Sequence, residues 1–534
     1  MRYNNYHSHK IYSNIRSLDV VTKPKQYLDR MRELGHNIYF TTEHGYQGNV
    51  YEANTLCNSK EYKDLNIKLV VGAEFYYVKN IEEKDRGNYH LIIIALNNNG
   101  YKQINKALSI ANTKGYYYKP RIDEKILFDV FNPDDVIITT ACTAGILRMD
   151  DYEYQIVKMK EYFGENFYLE VQNHNHISQI EHNKKVLRLS NKYNIKIIHA
   201  NDSHYIYPHE AEYRTKFLKA KGISYPEEDG YILDYPDSDT IIYRYKEQGV
   251  LNDQQIKEAL ENTLIFDKCE ELTIINKDIK LPSISDNPNK ELKEIVYKEW
   301  DKLKNTIPNI KHKEYEDAIK YELDIIEKTH MEDYFILDYH IVKKATDEYD
   351  GLLTKTGRGS APSFIVTKLL GLTEIDRIDS PVPLFPTRFM SIERILGTKS
   401  LPDIDLNSEN PEPFIQATKD LLGEDNCAWM LSFKPLQDAS AFRLWCKAND
   451  MKVSEYDEIA KNLDKYIDDK YWGKIIEDSK VFVGVVESIS PSPCSMILYN
   501  KPLNEEIGLV KTKDGICCNI DGYNCDVYKY LKND

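Results

Sequence analysis

Long hydrophobic runs are missing from this sequence. No apolar stretch approaches the roughly 18 residues that a membrane-spanning helix needs, so no membrane partner is expected. The opening MRYNNYHSHK lacks the hydrophobic core of a signal peptide, which leads to the expectation of a cytoplasmic protein. CxxC pairs are also absent. The nine cysteines include the adjacent Cys517 and Cys518, a pattern that argues against both a disulfide scaffold and a zinc ribbon. Nor is there an excess of positive charge, since the formal net charge is −15. Global charge governs solubility and long-range association, however, whereas binding depends on local patches. A chain that holds several metal ions also needs clustered carboxylates, so charge neither supports nor excludes DNA as a partner.

What is present is ordinary for a soluble protein, with 42% hydrophobic and 29% charged residues and modest Gly and Pro. The 534 residues should divide into three or four domains, each with its own core. The 41 tyrosines, with abundant Asn, Lys and Ile, speak of AT-rich coding more than of function.

From residue 1 to about 215, short apolar runs alternate with amphipathic stretches. Strand-like runs fall at Ile38–Thr41, Leu69–Val71, Leu91–Ala95, Val136–Thr139, Phe167–Val171 and Ile195–Ala200. Between them lie KPKQYLDRMRELGH, NGYKQINKALSIAN, YEYQIVKMKEYFG and SQIEHNKKVLRLSNKYN, with apolar residues at helical spacings of three and four. Such alternation implies parallel strands with crossover helices, hence an α/β barrel or a doubly wound sheet.

Metal-type side chains sit where that architecture places chemistry. Glu43 and His44 follow the Ile38 run, Glu74 the Leu69 run, Cys142 the Val136 run, and Asp202 and His204 the Ile195 run. Residues just past the carboxyl ends of barrel strands converge on one face. His90 instead opens its strand, and His7 and His9 lie in the first strand-like segment. A lone histidine is ordinarily a surface or core residue, but so many ligand types at one end weaken that reading. His7 with His9, and Asp202 with His204, are two residues apart, so each pair projects to one side of an extended segment and can grip one ion. Imidazole, carboxylate and thiolate together suit Zn, Mn or Fe rather than magnesium alone.

The segments YHSH, FTTEHG, VGAEF, HLIIIAL, ITTAC and ANDSH resemble the successive motifs of the PHP (polymerase and histidinol phosphatase) domain. The resemblance implies a distorted α/β barrel over residues 1–280. It also implies metal ligands at His7, His9, Asp19, His44, Glu74, His90, Cys142, Asp202 and His204, holding up to three Zn²⁺, Mn²⁺ or Fe²⁺ ions. Glu43 stands where the family pattern usually has Asp, outside those nine. A complete set implies an active site like that of family members that proofread as 3′→5′ exonucleases. Phosphodiester cleavage needs neutralised oxygens and a deprotonated water, both of which metal coordination supplies.

Residues 216–280 turn irregular and acidic, and LPSISDNPNK at 281–290 reads as a linker. Further on, Gly357, Arg358, Gly359 and Ser360 form a glycine-containing loop before an apolar helix, a setting that favours phosphate, although most such turns are only turns. In SLPDIDLN, Asp403 and Asp405 alternate with Ile404 and Leu406, so both carboxylates leave one face of a strand and can bridge two divalent ions. An isolated DxD would more often be a solvated strand edge. Taken in order, GRGSAPS, LLGLTEID, FPTRFM, ERILG and LPDIDL resemble the palm of the C-family replicative DNA polymerases, an α+β nucleotidyltransferase-like domain. The resemblance implies a first part of the palm over 281–410, with Asp403 and Asp405 holding two Mg²⁺ ions. It places Arg358, Gly359, Ser360 and Arg388 near the nucleotide triphosphate.

Residues 411–500 read as mostly helical and resemble the thumb, with Lys434 and Arg443 as weak candidates for contact with the DNA backbone. SPSPCSMILYN stands where the family usually shows a His-Ala-Gly-Gly type turn. Residues 501–534 resemble the return to the palm, where the spacing from Asp521 to Asp534 makes Lys532 a phosphate-facing lysine and Asp534 a third catalytic aspartate. A frayed polar terminus is the bland alternative. The expected partners are primer–template DNA and dNTPs, and a second chain carrying fingers and clamp-binding region, through which a sliding clamp is reached. The composition would suit a phage-borne copy. Three functions compete: a templated polymerase portion with proofreading in the PHP domain, a phosphoesterase with a non-catalytic palm remnant, and a degenerate DNA-binding or assembly subunit.

Overall fold

The computed structural model of the chain describes residues 1–354 and 357–533. They form two compact units, one of Met1–Ile275, Ser432–Ser490 and Ile507–Ile516, the other of Asn276–Leu431, Pro491–Glu506 and Cys517–Asp534. No helix among the described residues is long and apolar enough to cross a membrane.

The main sheet of the first unit has eight strands: β1 (Ile38–Thr41), β2 (Lys68–Tyr77), β3 (Tyr89–Ala95), β4 (Tyr116–Tyr117), β5 (Lys119–Ile122), β6 (Val136–Thr139), β7 (Phe167–Val171) and β8 (Ile197–His199). Their order is β4-β5-β2-β3-β6-β7-β8, and β1 also pairs with β2. The six apolar runs read from sequence are β1, β2, β3, β6, β7 and β8, buried along most of their length, and the four helical patterns are the helices Pro24–Leu34, Asn98–Thr113, Tyr152–Phe163 and Ile177–Tyr193; the short β4 and β5 were not read. Continuous burial explains why the runs are unbroken rather than alternating. Tyr6, Ile38, Phe40, Val70, Ile92, Ile94, Ile137, Tyr168 and Ile198 fill the interior.

The expectation of parallel strands holds except at β3 and β4. β1, β2, β5, β6, β7 and β8 run parallel to at least one neighbour, but β3 is antiparallel to both β2 and β6. β2 and β3 are joined by the short connection 78–88, too short for a helical crossover of the βαβ kind. The sheet is curled, and the strip at 6–9 lies between its outer members. Ser8 bridges Ser203 beyond β8, while its amide donates to Thr42 Oγ1 beyond β1 at 3.0 Å.

Residues 432–490, inside the segment expected as thumb, also cluster with this unit. The helix Asp438–Ala448 sets Ala441, Leu444 and Trp445 against Phe217 and Ala220 of the helix Ala211–Lys221. The largely helical expectation for 411–500 holds only in part, because Cys427–Pro435 and Val486–Leu498 are strands. Pro491 and Pro493 disguise the second of these, since proline normally demotes a strand reading.

The second unit is α+β. The helices Pro288–Leu303, Asn309–Thr329 and Glu332–Glu348 share a core with Phe364, Phe389, Ile404 and Leu531. Leu531–Asn533 pairs antiparallel with Met496–Leu498, and Cys517–Cys518 pairs parallel with Trp429–Met430. Asp403 and Asp405 stand on an extended segment rather than the expected ladder strand. Its anchors are the Ile404 amide, 3.0 Å from the Tyr334 hydroxyl, and a bridge from Ser408 to Leu353.

Candidate metal centre and acidic pair

The nine side chains of the first unit, scattered from residue 7 to residue 204, meet in one place. His7 and His9 point their Nε2 atoms at the same oxygen, Asp202 Oδ1, at 3.2 and 3.1 Å. Glu74 lies 3.4 Å from His7 Nε2 and 2.7 Å from His90 Nδ1, and Cys142 Sγ is 3.6 Å from that His90 nitrogen. His44 Nε2 lies 3.2 Å, and His204 Nε2 3.6 Å, from Asp19 Oδ2. His90 joins the others because β3 is antiparallel, which brings its first residues to the same end as the carboxyl ends of the parallel strands. Asp202 takes a left-handed conformation, φ 53°, at the turn that aims it inward.

Three groups are spaced to hold one ion each: His7, His9 and Glu74; Glu74, His90 and Cys142; His9, His44 and His204. The fit is chemical as well as geometric. His7 Nε2, His9 Nε2, Asp19 Oδ1, Glu74 Oε1 and Asp202 Oδ1 are buried and form no well-directed hydrogen bond, meeting other groups only in ion-pair contacts such as those above. Buried polar atoms rarely lack well-directed hydrogen bonds, and carboxylate oxygens converging with imidazole nitrogens in this way suit a cation. Burial raises the pKa of Asp19 and Glu74, but His44 and its neighbours outweigh it and hold both carboxyls well below the ordinary range. Burial likewise opposes charge on His44, yet Asp19 and Glu74 carry its pKa to about 10. Burial, then Asp202 and Glu74, push the Cys142 thiol up, a shift that a coordinated cation reverses.

An outer layer orients these ligands. Glu170 Oε1 lies 3.0 Å from His7 Nδ1, which leaves Nε2 to face the centre. Glu170 is itself held by Tyr6 Oη at 2.6 Å, Gln172 Nε2 at 2.8 Å and Thr139 Oγ1 at 3.1 Å. His9 Nδ1 meets Ser13 Oγ at 3.0 Å, and that hydroxyl donates to Glu43 at 2.6 Å. Sequence reasoning missed Glu170 and Ser13. The available signal for Glu170 was a carboxylate in the otherwise apolar strand FYLEV. The centre opens into a cavity of about 940 Å³, on whose wall stand Arg148, Lys185, Tyr225 and Tyr231.

In the second unit the loop at 357–360 and the acidic pair come together. Gly359 has φ +67°, and a Cβ there would lie 1.8 Å from Asp405 Oδ2. Only glycine allows so close an approach in that conformation. Arg358 Nε is 3.9 Å from Asp405 Oδ1. Asp403 shares a small cavity with Asp526 and Lys532. Burial raises the Asp403 pKa, Lys532 opposes that rise, and Asp526 and Asp405 add to it. Ser360 precedes the turn Ala361–Ser363. Arg388 closes the helix Pro386–Phe389, exposed, and among the described residues pairs with neither aspartate. In the first unit Lys434 is exposed and bonds Ser432 Oγ at 3.2 Å, while Arg443 is tied to Asp457 at 3.1 Å. Asp534 lies outside the described residues.

Two family matches accord with this geometry. The PHP domain matches residues 5–174, and the bacterial DNA polymerase III alpha NTPase domain matches residues 290–534. The chain therefore joins a PHP domain to a polymerase alpha domain. Among relatives, DNA polymerase III subunit alpha of Borreliella burgdorferi is 27% identical over 550 residues, covering 96% of this chain and 46% of that protein. The proteins of that name from Aquifex aeolicus and Campylobacter jejuni are each 27% identical, over 83% and 86% of this chain and 40% of their own length. The chain is similar to these DNA polymerase III alpha subunits over most of its own length and spans under half of theirs. A polymerase match over 290–534 tells against the stand-alone phosphoesterase.

Proposed function

We propose that the chain takes part in template-directed DNA synthesis and that its PHP domain removes nucleotides from a DNA 3′ end. The observation that carries the second half is the convergence of nine ligand-type side chains whose buried donor atoms face one another. Up to three Zn²⁺, Mn²⁺ or Fe²⁺ ions held there would neutralise phosphate oxygens and acidify a water. The chain's own part is to set the donor atoms. Glu170 and Ser13 fix the tautomers of His7 and His9, and Glu74, shared by two groups, holds them at a fixed separation.

For synthesis, Asp403 and Asp405 would hold two Mg²⁺ ions, with Arg358, Gly359, Ser360, Arg388 and Lys532 as the phosphate-facing groups and Asp534 as a third acid. The close packing of Gly359 on Asp405 supports this assignment. Primer–template DNA and dNTPs are the substrates in this reading, with Lys434 and Arg443 as backbone contacts. Fingers and the clamp-binding region would come from sequence beyond these 534 residues, on this or a second chain.

The test is a primer–template with a mismatched 3′ end, with and without dNTPs, under Mn²⁺ or Zn²⁺. Excision that disappears in His9→Ala supports the phosphoesterase. Extension that disappears in Asp403→Ala supports nucleotidyl transfer. Excision that persists in His9→Ala would remove the assignment of the metal centre.

A further inference from the structure

A groove of about 800 Å³ in the first unit is lined by four cations, Arg16, Lys119, Lys511 and Lys513. None of them forms an ion pair among the described residues, although the chain carries 85 acidic against 70 basic residues. Arg16 bonds only neutral acceptors, the Lys511 carbonyl at 3.1 Å and Asn112 Oδ1 at 2.5 Å, and its Nε is buried without a partner. Lys119 donates to the carbonyl of Arg16. The one acid on the groove wall, Glu487, is already taken by Lys221. Cations gathered side by side repel one another, and an anion lying among them would relieve that repulsion.

The shape of the groove narrows the choice of anion. Ser17, Lys119 and Tyr225 line both this groove and the metal cavity, so the two are continuous. Tyr116, 38% exposed, and Tyr225 stand on its walls, the first with the Arg16 guanidinium 5.7 Å from its ring. Cations along a path with aromatic faces between them are what a single nucleic-acid strand uses, backbone to the charges and bases to the rings. A duplex hides its base faces and gains nothing from the tyrosines.

We propose that this groove carries the single-stranded 3′ end of DNA into the metal cavity, with Lys511 and Lys513 on the phosphates and Tyr116 and Tyr225 against the bases. The proposal rests on the reading of the PHP centre as a 3′-end hydrolase.

The experiment uses the full chain and a fluorescein-labelled dT oligonucleotide, with 5-iodouracil near its 3′ end for photocrosslinking. Affinity is read by anisotropy without added metal, and crosslinked residues by mass spectrometry. Crosslinks at Tyr116 or Tyr225 are expected. Lys511→Glu with Lys513→Glu should weaken binding at least tenfold and reduce the salt slope by roughly 0.7 per lost phosphate contact. Lys511→Arg with Lys513→Arg should restore binding, which a folding defect would not allow. Unchanged affinity in the Glu variant, or crosslinks confined to the second unit, would overturn the groove. Cleavage under Mn²⁺ separates the two ideas. A wild-type chain that crosslinks at Tyr116 but leaves the strand uncut keeps the groove and loses the hydrolase. A Glu variant that cuts with unchanged KM keeps the hydrolase and loses the groove.

Discussion

His90 Nδ1 lies 2.7 Å from Glu74 Oε1, although His90 opens its strand while Glu74 sits well along the strand before it. The contact exists because β2 and β3 run antiparallel, with Tyr76 opposite His90 and Glu74 opposite Ile92. Reversal of one strand within a mostly parallel sheet thus converts a residue at the wrong end of its run into a member of the cluster. Glu74 gains most from it, since it belongs to two of the three ligand groups.

Glu74→Gln should therefore remove metal from two positions at once. The amide keeps the shape but loses the charge that offsets His44 and His90. Elemental analysis of purified protein should show at least one equivalent fewer metal ions than wild type, with excision lowered by more than about 100-fold, beyond the usual effect of an outer-layer change. Full metal content in the variant would refute the shared-ligand assignment.

Glu170→Ala acts one layer out. It frees His7 to rotate and strands the hydroxyls of Tyr6 and Thr139 without their acceptor. Metal affinity should fall by about 10- to 100-fold, and stability by about 1–3 kcal/mol for the buried donors left unpaired. Both are read by metal titration and denaturant unfolding. Glu170→Gln, which keeps an acceptor, should recover most of the stability and less of the affinity.

Six strands of the first unit were legible because each is buried along most of its length and reads as an unbroken apolar run, and the ligand types could be placed from those positions; Tyr116–Tyr117 and Lys119–Ile122, short and in part exposed, carried no such signal. The direction of β3 was not, because strand polarity depends on the length and path of the connection at 78–88 rather than on any pattern within β3. Ser13 and Glu170 were hidden for another reason: a hydroxyl in a loop and a carboxylate in a strand acquire meaning only when the histidine they touch is known. The association of 432–490 with the first unit was likewise unreadable, since Trp445 and Phe217 look like ordinary core residues until packed together.

Acid should loosen the first unit before the metal ligands are considered. His36 is buried against the Tyr235 hydroxyl at 2.7 Å, and burial depresses its pKa to about 4. Burial takes His199 to about 3. Each folded pKa lies below the unfolded value, so the unfolded chain binds the proton first. The stability these residues contribute is present above about pH 6.5 and is lost as pH falls through that value toward 4. Each shift is worth on the order of 3 kcal/mol over that window. Unfolding midpoints between pH 7 and pH 4.5 should fall steeply for wild type and less steeply for His36→Gln. Equal slopes would show that His36 does not titrate with folding.

Gly359→Ala tests the acidic pair without any assay of synthesis. Two costs are expected: the left-handed backbone, φ +67°, at about 1–2 kcal/mol for a residue with a Cβ, and a collision between that Cβ and Asp405 Oδ2, 1.8 Å away. Only the second depends on Asp405. In an Asp405→Ala background the collision vanishes while the backbone cost stays, so the two substitutions should be strongly non-additive. A double-mutant cycle by denaturant unfolding should give a coupling of at least about 1 kcal/mol, where independent sites agree to within about 0.5 kcal/mol. Additivity would mean that the 357–360 loop does not touch Asp405, and the phosphate-facing role given to Gly359 and Ser360 would fall with it.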